Sequence, residues 1–371
     1  MESDTDLDNQ RSEHAFSHAL NTILAWHSFW DPRFLLNPLR PVIQWHYGRI
    51  MDSFIHKELE KRFEEIKAER SSSKAQGNRR AKSVAALALE DYIIQKQQAK
   101  PANQEDLESV CLDENFARIT VNQIRLFLFA GNDTTSSTIV YIFHFLSKNP
   151  HALSKLQEEH DLIFGTETDV ATLLRANPVL INQCKYTLAV IKETLRLCPP
   201  SGSLRQGRAG ASLTDKQGNI YPTDGLKTTT IHQFVHRNPR FWPRADEFLP
   251  DRWLVKPGHE LYVNPNTGAF RPFEQGPRNC IGQTLVLNEL RVILVMAART
   301  LTISPAYNEW DDMQLNERGS LQKLIAWAGV YKEEIKTVKG ERAYQTARAG
   351  GHPADGYPCR VSLAKRRSSA S

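Results

Sequence analysis

One cysteine, set among turn-forming residues, constrains this chain more than any other feature: Phe273-Glu274-Gln275-Gly276-Pro277-Arg278-Asn279-Cys280-Ile281-Gly282. The residues that follow, Gln283 to Thr300, are apolar at helical spacing (Leu285, Leu287, Leu290, Ile293, Leu294, Ala297) and predict a buried helix. Cys280 then stands where a loop hands over to a helix, at the positive end of the helix dipole, with Arg278 close by. Both favour a thiolate over a thiol. A lone cysteine is more often a small buried hydrophobe, so the residues around it must decide.

An electron-rich thiolate ringed by backbone N–H groups suits the axial position of a haem iron. Gly276 permits a tight or left-handed turn, and Gly282 lets a helix backbone approach a flat cofactor. Arg278 offers a haem propionate a planar fork of donors. Phe273 would shield the sulfur from water. The pattern Phe-x-x-Gly-x-Arg-x-Cys-x-Gly resembles the haem-binding loop of the cytochrome P-450 (haem-thiolate) superfamily and matches it at every fixed position. The resemblance implies haem (iron protoporphyrin IX) as cofactor, with the Cys280 thiolate as the axial metal ligand.

Three further constellations follow the order of the same family. Ala130-Gly131-Asn132-Asp133-Thr134-Thr135, inside the longest periodic segment (Phe116 to Lys148), resembles the signature of the helix that crosses the oxygen-binding face of the haem. Gly131 removes a side chain where dioxygen must fit. Thr134 can bond back to a helix carbonyl. Its hydroxyl, with Asp133 behind it, can relay protons to reduced dioxygen. The competing reading is a polar patch in a helix. Glu193-Thr194-Leu195-Arg196 puts two opposite charges on one helix face. Arg252, in Phe248-Leu249-Pro250-Asp251-Arg252-Trp253, resembles the family arginine that joins such a pair in a buried, structural triad. Arg205, just past Pro199-Pro200, lies where the family often places a propionate partner, although most arginines are merely solvated. His236 and Arg237 belong to a family-like His-Arg-Asn-Pro stretch whose role is open.

Composition excludes other classes. The 371 residues carry a net charge of +5 with no basic stripe interleaved with aromatics, so nucleic acid is not indicated. Five scattered cysteines with no C-x-x-C pair argue against a disulfide framework or a structural zinc site. No Gly-x-Gly-x-x-Gly dinucleotide site, P-loop, Gly-x-Ser-x-Gly or His-Glu-x-x-His occurs. Met1 to Arg11 is acidic and polar, and no apolar run is long enough to span a bilayer, so the chain as given reads as soluble. The resemblance would put a full-length parent at the endoplasmic reticulum membrane, on its cytosolic face.

The fold expected is mainly α with a small β-rich part. Helices are predicted over about Glu13–Phe29, Val42–Ala68, Val84–Gln98, Phe116–Lys148, Ala152–Phe164, Val170–Arg175 and Leu180–Leu197, with strands near Ile220 and Thr228–Ile231. Ser71 to Arg80 is a polar loop, and Lys365 to Arg367 begins a solvated tail.

Mapped on the family, the chain is expected to be one truncated domain. Residues 1–115 roof the pocket, 116–149 form the oxygen-face helix and 180–198 the Glu-x-x-Arg helix. Residues 199–271 hold strands and meander, 272–300 the thiolate loop and its helix, and 301–371 the final turns and strands. The family's N-terminal third is expected to be missing, including the helix whose Trp-x-x-x-Arg binds the other propionate. Gly268 to Phe273 and Gly356 to Val361 resemble fungal secondary-metabolism members. The activity implied is insertion of one oxygen atom from O2 into a lipophilic small molecule, driven by an NADPH-dependent flavoprotein reductase. Two alternatives stay open: an inactive fragment that retains no haem, and a reductase-independent haem-thiolate isomerase or dehydratase.

Overall fold

Helices form where apolar residues recur every three or four positions, and most of the described chain is helix. The computed structural model describes residues 4–26, 35–71, 83–98, 110–166, 169–317, 335–348 and 350–364. Parts of three expectations fall outside these residues: the end of the first helix, the loop from Ser71 to Arg80 beyond Ser71 itself, and the basic tail. The chain divides into two compact units, Met1–Asp133 and Thr134–Ser371.

The first unit is helical. It holds α1 (Asp4–Ala25), α2 (Arg40–Ser71), α3 (Val84–Gln98) and the front of α4 (Glu114–Lys148). On α2, Ile55, Leu59, Phe63 and Ile66 recur at helical spacing and pack with Ala86, Leu89 and Ile93 of α3 and with Ala117 and Val121 of α4. Each fully buried Ile, Leu, Phe or Val side chain among them contributes roughly 1.5–3 kcal/mol. Side chains cap the helix starts: Ser83 Oγ accepts from Ala86 N, and Asp113 Oδ1 from Phe116 N. The Tyr92 hydroxyl fastens the approach to α4 by donating to Cys111 O (3.0 Å) and accepting from Asp113 N (2.8 Å).

The second unit begins with the rest of α4. It continues through α5 (Pro150–Phe164), α6 (Val170–Ala176) and α7 (Lys185–Leu197). Proline starts α5 where a missing N–H costs nothing. The helix expected over Leu180–Leu197 is two pieces, a 3-10 turn at Pro178–Gln183 and then α7. Cys184 leaves helical geometry between them (φ −73°, ψ 72°), and Glu159 of α5 supplies the cap for the restart.

Small antiparallel sheets follow. β1 (Ser203–Gln206) pairs with β4 (Lys227–Thr230), enclosing the hairpin of β2 (Ser212–Thr214) and β3 (Ile220–Pro222). The short helix α8 (His232–His236) follows β4 directly. After α9 (Gln283–Ala297) come β5 (Leu301–Pro305), α10 (Tyr307–Glu317), β6 (Gln345–Arg348), β7 (Gly350–Pro353) and β8 (Cys359–Leu363), with β5 paired to β8 and β6 to β7. The core of this unit joins Tyr141, Ile142 and Leu146 of α4 with Leu156, Ile191, Leu195, Leu290 and Leu294. Ser137 Oγ donates to Gly351 O (2.6 Å) and Tyr141 Oη to Ala343 O (3.2 Å), which fixes the last strands on α4. Among the described residues no helix is long and apolar enough to cross a membrane.

Candidate active site

The cysteine loop is closed by its own backbone. Cys280 N donates to Phe273 O (2.8 Å), and at the tip Asn279 N donates to Gly276 O (3.1 Å). That turn needs a left-handed residue, and Gly276 supplies it at φ +81°. The helix expected over Gln283–Thr300 runs from Gln283 to Ala297, so Cys280 stands just ahead of its first turn. Phe273 is half-buried and packs on the core, holding the base of the loop.

The cysteine itself is open to solvent. Cys280 is exposed, with Ile281 (88 % exposed) and Leu285 (73 %) beside it in sequence. A Cβ added at Gly282 would lie 3.8 Å from Cys280 Sγ, so glycine leaves that side of the sulfur clear. By contrast, burial pushes the Cys184 and Cys198 thiols up to about 12, which leaves both inert.

Two cations border this loop without carboxylate partners among the described residues. Arg278 is exposed, and Arg205 on β1 donates through Nη2 to Arg278 O (3.5 Å) and through Nη1 to Leu204 O (2.9 Å). An accessible thiol, a glycine in place of a covering Cβ, exposed aliphatic side chains and two cations suit a broad apolar ring system that carries acidic substituents.

The α4 motif is a second constellation. The helix runs unbroken through it, Gly131 is exposed with nothing within 4 Å of an added Cβ, Asp133 is buried and Thr134 is half-buried. Thr138 Oγ1 donates to Thr134 O (2.8 Å) one turn on. The boundary between the two units falls between Asp133 and Thr134.

The acid–base triad forms as expected. Glu193 and Arg196 have no solvent exposure and Arg252 has 4 %. Arg196 donates to both Glu193 oxygens (Nε 3.0 Å, Nη2 2.8 Å), and Arg252 Nε to Glu193 Oε1 (3.0 Å). Leu249 N and Trp253 Nε1 complete the carboxylate's partners, each at 3.0 Å. The buried Trp242 ring lies under both guanidinium groups, at 5.1 and 5.8 Å.

Sequence reasoning left His236 without a role and missed the other groups that join this triad to the cysteine loop. His236 accepts Arg196 Nη1 at its carbonyl (2.9 Å) and Arg271 N at its ring Nε2 (3.0 Å). Burial, with the charges of His232 and Arg196, holds His236 down at about 3, so its ring is a neutral acceptor. Glu274, inside the loop, accepts from His232 and from Arg271. Burial works to raise its carboxyl, but those hydrogen bonds outweigh it and hold Glu274 at about 2. The usable signals were His232 and His236 four residues apart and Arg271 and Glu274 three apart.

One spacing expected to be absent is present. Trp45 and Arg49 form a Trp-x-x-x-Arg on α2, where the guanidinium lies over its own helix's indole at 5.2 Å, an intrahelical cation–π pair.

The cytochrome P450 family model matches residues 1–323. The chain belongs to the cytochrome P450 family. Haem held by a cysteine thiolate is the cofactor that membership implies. Cytochrome P450 monooxygenase polC of Polytolypa hystricis is 37% identical over 366 residues, which cover 97% of this chain and 60% of that protein. Cytochrome P450 monooxygenase acrF of Aspergillus aculeatus is 32% identical over 343 residues, 88% of this chain and 63% of that one. Cytochrome P450 3A13 of Mus musculus is 32% identical over 205 residues, 54% of this chain. This P450 chain thus spans about three-fifths of the length of these two fungal proteins.

Proposed function

We propose that this protein is a haem-thiolate monooxygenase of fungal secondary metabolism, inserting one oxygen atom of O2 into a lipophilic small molecule. The observation that carries the reading is the exposed Cys280 on a loop closed by the Phe273–Cys280 backbone bond, next to Arg205 and Arg278. Bound haem would supply an iron centre able to activate dioxygen, made electron-rich by thiolate ligation.

The chain's own residues do the rest. Cys280 would hold the iron through its thiolate. Arg278 and Arg205 would neutralise the propionates, and Gly282 and Gly276 would leave the loop able to accept a flat cofactor. The α4 motif would contribute Gly131 as a position without a side chain, and Thr134 with Asp133 as carriers of protons. The fungal monooxygenase relatives support this reaction class. Electrons come from an NADPH-dependent flavoprotein reductase, in a setting at the cytosolic face of the endoplasmic reticulum membrane.

The test is the absorption spectrum of the reduced, carbon-monoxide-bound chain beside that of Cys280→Ala. A red-shifted thiolate-type band in the parent and its loss in the variant are expected. A Cys280→Ala protein that keeps the band would sink the assignment.

A further inference from the structure

We propose that His232 and Glu274 are positioning residues, a hydrogen-bonded latch that sets the loop carrying Cys280. The His232 ring is buried, with Nδ1 2.8 Å from Ser201 O and Nε2 2.9 Å from Glu274 Oε1. A carbonyl and a carboxylate can only accept, so each contact is one in which the ring donates. The other oxygen of Glu274 accepts from Arg271 Nη2 (2.6 Å) and Nε (3.1 Å), which keeps the carboxylate ionised. Glu274 is therefore gripped from two sides: by a histidine on α8 and by an arginine of its own turn.

The backbone shows what the grip achieves. Glu274 sits at φ +58°, a left-handed conformation that a residue with a side chain adopts only when something holds it there. It directly follows Phe273, whose carbonyl takes the Cys280 N–H. The latch thus fixes the turn from which the cysteine loop departs. Ser201, at its far end, lies two residues before β1, the strand that carries Arg205. One buried ring ties the thiol's loop to the strand of its neighbouring cation.

The consequence for iron ligation rests on the reading of Cys280 given above; the latch itself does not. Its test uses the full chain, with and without haem, in four forms: parent, His232→Asn, Glu274→Gln and the double variant. Deuterium uptake of the peptide spanning residues 271–281 is read by mass spectrometry in the haem-free chain. Each single variant is expected to speed exchange there about tenfold or more, as charge-assisted bonds of this kind imply. The double variant should be no worse than the singles, while α5 peptides stay unchanged.

Glu274→Gly separates the side chain from the backbone. It relieves the positive φ, yet the latch requires the loop to loosen. Should His232→Asn unfold the chain, seen as faster exchange in α5 as well, the glycine variant carries the test alone. In the haem-loaded chain the single variants should reduce the thiolate-type fraction of the carbon-monoxide spectrum. Parent-like exchange in the singles, additive effects in the double variant, or a tighter loop in Glu274→Gly would each overturn the latch. Because exchange is read without haem, a failure of Cys280 as ligand leaves that result standing.

Discussion

The Glu159 carboxylate, on α5, caps a helix that is not its own: it accepts Thr187 N (2.8 Å) and Thr187 Oγ1 (2.6 Å), and beside them Tyr186 N (2.5 Å). Two of the N–H groups that α7 leaves without helical partners are thereby satisfied. Glu159→Ala is expected to lower stability by about 1–3 kcal/mol, the range for losing a cap together with partly buried hydrogen bonds. Denaturant midpoints of parent and variant check it; an unchanged midpoint would show that the cap is dispensable.

The buried triad leads to a larger effect. Glu193→Ala leaves Arg196 and Arg252 as uncompensated charges in the core, a loss of about 3–5 kcal/mol. Most of such a chain should be recovered insoluble, and the soluble part should carry no haem. Soluble yield and the haem-to-protein ratio are the measurements. Near-normal recovery would mean that the two arginines find other partners among the carbonyls around them.

Acid should weaken the fold in two stages. Burial holds His144 and His160 down at about 4 and His236 at about 3, all below the usual value of 6.5. The unfolded chain therefore binds these protons first, so stability present above pH 6.5 is lost as pH falls toward 4. Glu274, at about 2 against 4.5, adds a second loss below pH 4.5. Denaturant midpoints at pH 7 and pH 5 should differ, and His160→Asn should reduce the difference. An identical pH slope in that variant would contradict the assignment for His160.

The two loop glycines should separate folding from cofactor binding. Gly276→Ala forces a side chain into φ +81°, which costs about 1–2 kcal/mol of stability. Gly282 has φ −82°, which alanine adopts freely, but its Cβ would lie beside the Cys280 sulfur. Gly282→Ala should therefore leave the thermal midpoint of the haem-free chain alone and weaken haem retention. Equal retention in parent and variant would argue that the ring approaches from elsewhere.

On the oxygen side, Thr134→Ala should preserve the thiolate-type spectrum and cut reductase-driven product formation about a hundredfold or more, as loss of a proton-transfer group does. Turnover measured with reductase and then with added peroxide checks this. Unchanged reductase-driven turnover would favour a reaction that needs no proton delivery.

What the sequence made legible was local. α3 could be read residue for residue because its periodicity is continuous and Ser83 caps it, and the cysteine loop because its fixed residues are neighbours in the chain. The break before α7 was hidden, since the carboxylate that permits it comes from another helix. The His232–Glu274 contact was hidden for the same reason: the two residues lie 42 positions apart. Trp45 and Arg49 show the reverse error, where a spacing taken to be missing is present as a local stacking pair.

His236 serves two neighbours with two different parts of itself. Its carbonyl holds Arg196, and every amino acid has a carbonyl; its ring holds Arg271 N, and few side chains could replace it. A substitution at this position therefore removes one attachment and spares the other. The framework is insulated from heritable change at residue 236, while the cysteine loop is exposed to it. Variation among descendants of this sequence can retune the loop there without first destroying the scaffold that carries it.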